Sequence, residues 1–377
     1  GAIDNRNEIK LGDLTIRGNE SDKNGGGLTN YAPDDKNQAR IEVAGDLEIL
    51  DNYAGVLGGG LANNSSLSVA GGSRFEKNKS QSSGGAIYNY EGGQIEFQGL
   101  KCIANETEEG SGIINNNWKE NQAEPRISVA ASFLAEDNIA GNDGAVLHNN
   151  GQMDFGADFM ARKNQAKNRG GVIFNCDSGQ IDLAGQASFI ENQGIYGGAI
   201  YNSQGQSVIN FQAGSEFTGN QSCNNGGAVF NTTSMNFLGA SNFTGNIADC
   251  PAGNEAEGGG IYNDGLMNFT DLSCRANTSN NDGAGVFNAR NGEILISSKL
   301  VLEGNQAETE GGGLCNRNRL KILGGLEVRD NQAQTRGGGI SNICPENMDK
   351  AQIELGPDLE EVIFTGNSSM TDGRGYL

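Results

Sequence analysis

The sequence predicts an all-β chain, a right-handed parallel β-helix (β-solenoid) of about thirteen coils with three short strands per coil, forming one repeat domain over 1–377. Three observations predict it. The string GGAIYN occurs at Gly84 to Asn89 and again, letter for letter, at Gly197 to Asn202, with near copies such as GGGLTN at Gly25, GGVIFN at Gly170, GGAVFN at Gly226 and GGGLCN at Gly311. An apolar, polar, apolar triplet lies in every interval between copies, as at Ile95 to Phe97 and Met235 to Phe237. A form of FxxN follows each triplet, as at Phe75, Phe217 and Phe243. The repeat length of roughly 25 to 36 residues falls in the solenoid range.

Each of the three pieces alternates inward and outward positions with period two, so each reads as a strand. The turns between them are short and rich in Gly and Asn, which leaves no room for an amphipathic helix. Right-handed winding follows from the preference of parallel crossovers. In the hexapeptide, the paired glycines permit positive φ or close backbone approach at a corner, the aliphatic letter packs inward, and Asn closes the strand.

Stacked coil on coil, Asn30, Asn63, Asn89, Asn115, Asn149, Asn175 and their counterparts through Asn342 form one amide ladder. The FxxN asparagines, from Asn19, Asn52 and Asn78 to Asn367, form a second.

The core letters compensate in size. Phe follows Ala or Ser two positions earlier: Ser73 with Phe75, Ala131 with Phe133, Ala157 with Phe159, Ala187 with Phe189, Ser215 with Phe217, Ser241 with Phe243. Where the earlier residue is Leu, the later one shrinks: Leu14 with Ile16, Leu47 with Ile49, Leu100 with Cys102, Leu272 with Cys274, Leu326 with Val328. A narrow packed cross-section demands this constant sum, because overpacking and cavities both destabilise. Val362 with Phe364 breaks the pattern, so that coil is expected to be loosened or covered. Cys102 and Cys274 are accordingly small core hydrophobes.

GGA[ILV] and FxxN repeated along a chain resemble the passenger region of the chlamydial polymorphic membrane proteins. The literal copies are Gly84 to Ile87, Gly197 to Ile200 and Gly226 to Val229, with FxxN at Phe75, Phe189, Phe217, Phe243 and Phe364. The resemblance implies a surface-exposed β-helix adhesin of autotransporter type, extracellular or on the bacterial cell surface. GGG outnumbers GGA here, a departure from the family pattern.

Composition narrows the partners. The chain has 59 Gly, 5 Pro and a net charge of −21, so nucleic acid and anionic membrane surfaces are repelled. No apolar run is long enough to cross a membrane as a helix. The expected partners are a host or cell-surface ligand, or further copies of the chain in lateral or head-to-tail association, the latter building a fibre.

The fifth hexapeptide letter should point outward, and its column reads Tyr88, Ile114, His148, Phe174, Tyr201, Phe230, Tyr262, Phe287 before fading at Cys315 and Ser341. As an exposed aromatic stripe it would be a protein contact or a glycan track; the plainer reading is mutual stabilisation of neighbouring rings. Longer turns at Tyr31 to Arg40, Asn116 to Arg126 and Ile343 to Gln352 all follow the hexapeptide Asn, and the single Trp118 lies in the second, either as a binding contact or as a lid.

Seven Cys leave at least one unpaired; Cys223 and Cys250 are candidates for one disulfide between adjacent turns, with free thiols the alternative. The rival function is polysaccharide lyase or glycoside hydrolase chemistry of the β-helix type. It would rest on Asp154 and Asp182 in one outward column, as a Ca2+ site or acid/base pair, against which stands solvated surface charge. One His and no nucleophile–base spacing argue for a non-enzymatic module without a resident cofactor, Ca2+ excepted.

Overall fold

The structure is a computed structural model that describes residues 1–32, 39–119, 122–249, 255–343, 351–357, 359 and 361–370. The chain divides into two compact units, residues 1–186 with 205–207 and residues 187–204 with 208–377. Both are parallel β-solenoids without helix among the described residues.

In the first unit the hexapeptide strands run as one parallel sheet from Ile3–Asn5 through Leu28–Asn30, Leu61–Asn63, Ile87–Tyr90, Ile114–Asn117 and Leu147–Asn149 to Ile173–Asn175. The triplet and FxxN strands share a second sheet, and in places they fuse, as in Gln94–Ile103. A dipeptide just after the second-ladder Asn, such as Lys79–Ser80 or Glu106–Thr107, supplies the third sheet. Two residues give no visible alternation in the sequence, which is why that face is not legible there. The second unit repeats the plan, with hexapeptide strands from Ile200–Asn202 to Ile340–Asn342 and fused strands at Ser234–Thr244 and Leu266–Arg275.

The corner needs glycine for two different reasons. Gly84 has φ 68°, and a Cβ there would lie 2.6 Å from the Ile87 carbonyl oxygen; Gly85 is crowded instead by the Glu106 carbonyl at 2.5 Å, a contact made by the neighbouring coil.

Both ladders form. In the first unit Asn5, Asn30, Asn63, Asn89, Asn116, Asn149 and Asn175 are joined Nδ2 to Oδ1 at 2.8–3.0 Å. In the second, the series runs from Asn202 to Asn342. The member from the coil at residues 110–116 is Asn116, not Asn115. Its left-handed glycine, Gly112, stands one residue closer to the ladder than Gly84 does to Asn89, so counting from Gly110 misplaces the register. The FxxN ladder holds from Asn19 to Asn164 and from Asn192 to Asn367.

Size compensation is obeyed, with a corrected register in two coils. Phe133 pairs across strands with Leu100, and Ala135 with Cys102, so the matched set is Phe133 with Ala135 rather than Ala131 with Phe133. Phe159 pairs with Phe133 and Ala161 with Ala135, so Phe159 belongs with Ala161 and not with Ala157. Ala135 and Ala161 are fully buried, whereas Ala131 and Ala157 lie partly exposed. Summed volume is conserved while its order reverses, because the constraint acts on the cross-section and not on a particular letter.

Where Phe occupies the same position in successive coils the rings stack: Phe189 on Phe217 and Phe217 on Phe243 at 4.7 and 4.4 Å, and Phe211 on Phe237 and Phe237 on Phe269 at 4.4 and 4.5 Å. Cys102 and Cys274 are wholly buried in the core, as small apolar residues there should be. Val362 and Phe364, the pair that breaks the size rule, are 47% and 54% exposed.

Candidate functional site

The outward hexapeptide column is positioned by strands of three or four residues, whose flanking aliphatic and Asn positions are fixed inward by the core and the ladder. Its members in the first unit are Tyr88, Asn115, His148 and Phe174 in consecutive register. Ile114 points inward and is buried, so the aromatic run is broken by an amide. In the second unit Tyr201, Phe230, Tyr262 and Phe287 stack at 4.6, 4.7 and 5.4 Å with rings nearly parallel, followed by Cys315 and Ser341.

The column is not an exposed apolar stripe. Tyr88, Phe174 and Phe287 are 8%, 3% and 1% exposed, and Tyr201, Phe230 and Tyr262 are half-buried. Both faces of Phe230 are covered by Tyr201 and Tyr262, so ring edges rather than faces look outward. Residues in and beside the hexapeptide turns form a roof over the column, a feature invisible to period-two alternation.

In the first unit that roof is Arg169, whose guanidinium lies 4.5 Å from the centre of the Phe174 ring and grips Asp143 through two hydrogen bonds of 2.9 and 2.7 Å. His148 sits edge-on to Phe174 at 5.0 Å, its Nε2 3.8 Å from the Cys176 sulfur and its Nδ1 without a partner. Burial drives the imidazole pKa down to about 4, against the opposing pull of Asp143. Burial likewise raises the Cys176 thiol to about 12, so no activated Cys–His pair results. The Tyr88 hydroxyl accepts a hydrogen bond from Asn117, and Tyr90 packs on its ring at 5.3 Å.

The second unit has a more acidic roof. The letter before the hexapeptide glycine is Glu257, Asp282 and Glu310 in three successive repeats, a column legible as EGGG, DGAG and EGGG. Arg317 crosses beneath it, 4.7 Å from the centre of the Phe287 ring, 2.6 Å from the Asp282 carboxylate and 3.7 Å from Glu257. Burial lifts the Glu257 carboxyl to about 7 and raises Asp282 as well, in each case over the opposing effect of Arg317. Glu310 is held by Arg336 at 3.3 Å. Asp282 and Glu310 oxygens and the Cys315 sulfur lie within 4.8 Å of one another.

The other expected sites are dispersed. Asp154 and Asp182 are register partners, but Arg126, reaching across from the neighbouring strand position, binds Asp154 at 2.8 Å. Trp118 is partly exposed and its Nε1 donates to the Gln122 carbonyl at 3.0 Å. Cys223 is an exposed free thiol; its suggested partner Cys250 lies outside the described residues. So do parts of the three longer turns, among them 33–38 and 344–350. A third, short amide ladder joins Asn210, Asn236 and Asn268 on the solvent face of the second unit at 2.8 Å per step.

Comparison with known proteins finds a match to the Chlamydia polymorphic membrane protein repeat at residues 61–90 and 214–232. No curated protein and no solved structure matches. The two matched segments contain Gly84 to Asn89 with Phe75, and Gly226 to Asn231 with Phe217, so the letters that match are those that build the corners, the ladder and the core. Over these segments the chain is similar to the Chlamydia polymorphic membrane protein repeat.

Proposed function

We propose that the chain is a non-enzymatic surface module, a β-solenoid passenger standing outside the cell, whose work is adhesion to a cell-surface ligand or association with further copies of itself. The observation that carries this reading is the match of one surface-protein repeat in each unit, on coils whose columns persist through that unit. The net charge of −21 favours a basic partner surface. Non-enzymatic character is supported by the pairing of Asp154 with Arg126, which leaves the stacked carboxylates a poor acid/base couple, and by a lone His whose sulfur neighbour stays protonated.

The test is binding of the purified, labelled chain to cultured host cells, run beside light scattering over a hundredfold concentration range and a screen for cleavage of acidic polysaccharides. Saturable cell binding or concentration-dependent growth in mass is the expected result. Cleavage that is lost in Asp154→Asn would replace the reading with lyase chemistry, and a chain that neither binds cells nor self-associates overturns it.

A further inference from the structure

The roof of the second unit holds more buried negative charge than the cations in reach offset. Glu257, Asp282 and Glu310 occupy adjacent coils, with Asp282 only 3% exposed and the Glu257 and Glu310 side chains 17% and 14% exposed. Against them stand Arg317 and Arg336, the latter 74% exposed and therefore well screened. A proton partly makes up the deficit, since Glu257 titrates near 7.

Cys315 is an independent sign. It ends the aromatic column, is wholly buried, and points its sulfur at the two carboxylates. Arg317 faces it as a donor, and the Asp282 and Glu310 carboxylates offer acceptor oxygens within 4.8 Å of its sulfur, so ligand atoms of both kinds that a metal takes, sulfur and oxygen, converge on one point.

We propose that Asp282, Glu310 and Cys315 form a binding site for a thiophilic divalent cation of the Zn2+ class. A thiolate with two carboxylates selects a borderline-soft ion over Ca2+ or Mg2+, which take oxygen alone. Zinc needs sulfur at about 2.3 Å and carboxylate oxygen at about 2.1 Å, which side-chain rotation supplies from donors already within 4.8 Å of one another. On entry the ion displaces the Arg317 guanidinium from Asp282, leaving it near Glu257. The Cys315 thiol gives its proton to solvent as the metal–sulfur bond forms, so at pH 8 and above, where Glu257 is already ionised, one proton is released per ion bound. Three donor charges are then balanced by the ion and Arg317.

The test uses the full chain with Cys223, Cys250 and Cys344 changed to Ser, stripped with chelator and titrated with Cd2+ alone while thiolate-to-metal charge-transfer absorption is followed. One equivalent is expected to bind, with one proton released at pH 8. Cys315→Ser should abolish the absorption, and Glu310→Gln, altered at the rim where folding is least at risk, should weaken binding by about 10- to 100-fold. Arg317→Gln should bind more tightly and regain thermal stability on adding Zn2+, a sign opposite to that of a purely structural arginine. No charge-transfer band in the parent chain, or Cd2+ affinity unchanged in Glu310→Gln, overturns the proposal.

Discussion

Asn246 shows at single-residue scale why an amide recurs in the interior. Its Oδ1 accepts from the backbone N–H and Nδ2 of Asn220, both at 3.0 Å, while its Nδ2 donates to the Phe217 carbonyl at 2.9 Å and to Asn277 Oδ1 at 3.0 Å. Every polar atom of a wholly buried side chain is thereby matched, a condition that neither a carboxylate nor a hydroxyl meets. Asn246→Ala should cost about 3–5 kcal/mol in urea unfolding, because it strands two donors and a carbonyl at about 1–3 kcal/mol each. Asn246→Asp keeps the acceptor but turns its donor against two oxygens, so its loss should ease as pH falls.

The residue just before each such Asn explains the third letter of FTGN. Gly219 and Gly245 have φ 63°, and the same left-handed backbone is forced on Lys77, Ala104 and Ala276 in other coils. The ladder imposes that conformation on non-glycine residues at a cost of about 1–2 kcal/mol.

At the scale of one strand and its neighbours, the inward pair of the FxxN strand fills a fixed cross-section. Leu100 and Cys102 lie in register with Phe133 and Ala135, so two solutions of similar volume sit side by side. Cys102→Phe alone should overpack the coil and cost about 1–3 kcal/mol. Combined with Leu100→Ala it should recover most of that loss, giving a favourable coupling energy in a double-mutant cycle by thermal unfolding. Two strictly additive losses would show that the coils do not share a volume constraint.

This strand also shows where reading by letters goes astray. The FxxN pattern drew attention to Phe133 and Phe159, but the ladder Asn and the cross-strand partners fix the register, and they place Ala135 and Ala161 at the FxxN start. A shorter turn did the same to Asn115, which faces outward beside Tyr88 and His148.

Across the whole molecule, stability should depend on pH through two buried groups with opposite signs. His148 has its folded pKa lowered to about 4 from 6.5, so the unfolded chain takes up the proton first and stability falls as pH drops from about 6.5 to 4. Glu257 has its folded pKa raised to about 7 from 4.5; its penalty is absent below 4.5, grows through that interval and is complete above 7. His148→Phe should therefore flatten the acid limb of the melting curve of the first unit, worth about 2–3 kcal/mol between pH 7 and 4. Glu257→Gln should stabilise the second unit at pH 8 and change little at pH 4. Thermal melts across pH 4–8 check both, and an acid limb unaltered in His148→Phe rules out the imidazole as its cause.

What the sequence determined by itself is the solenoid, its two amide ladders but for the member at Asn116, and the size rule of its core, because each coil repeats the same short-range demands: a left-handed corner, an inward aliphatic, a satisfied amide. What only the tertiary structure decided is which letters meet across coils and what covers the outward column. Asp143 reaches Arg169 across 26 residues and Arg317 reaches Asp282 across 35, and such pairings depend on the stacking of coils rather than on any local pattern. Period-two alternation marks a side chain as facing out of its strand; whether it then meets water, or a charged roof supplied by the next turn, is settled only when the coils are laid one upon another.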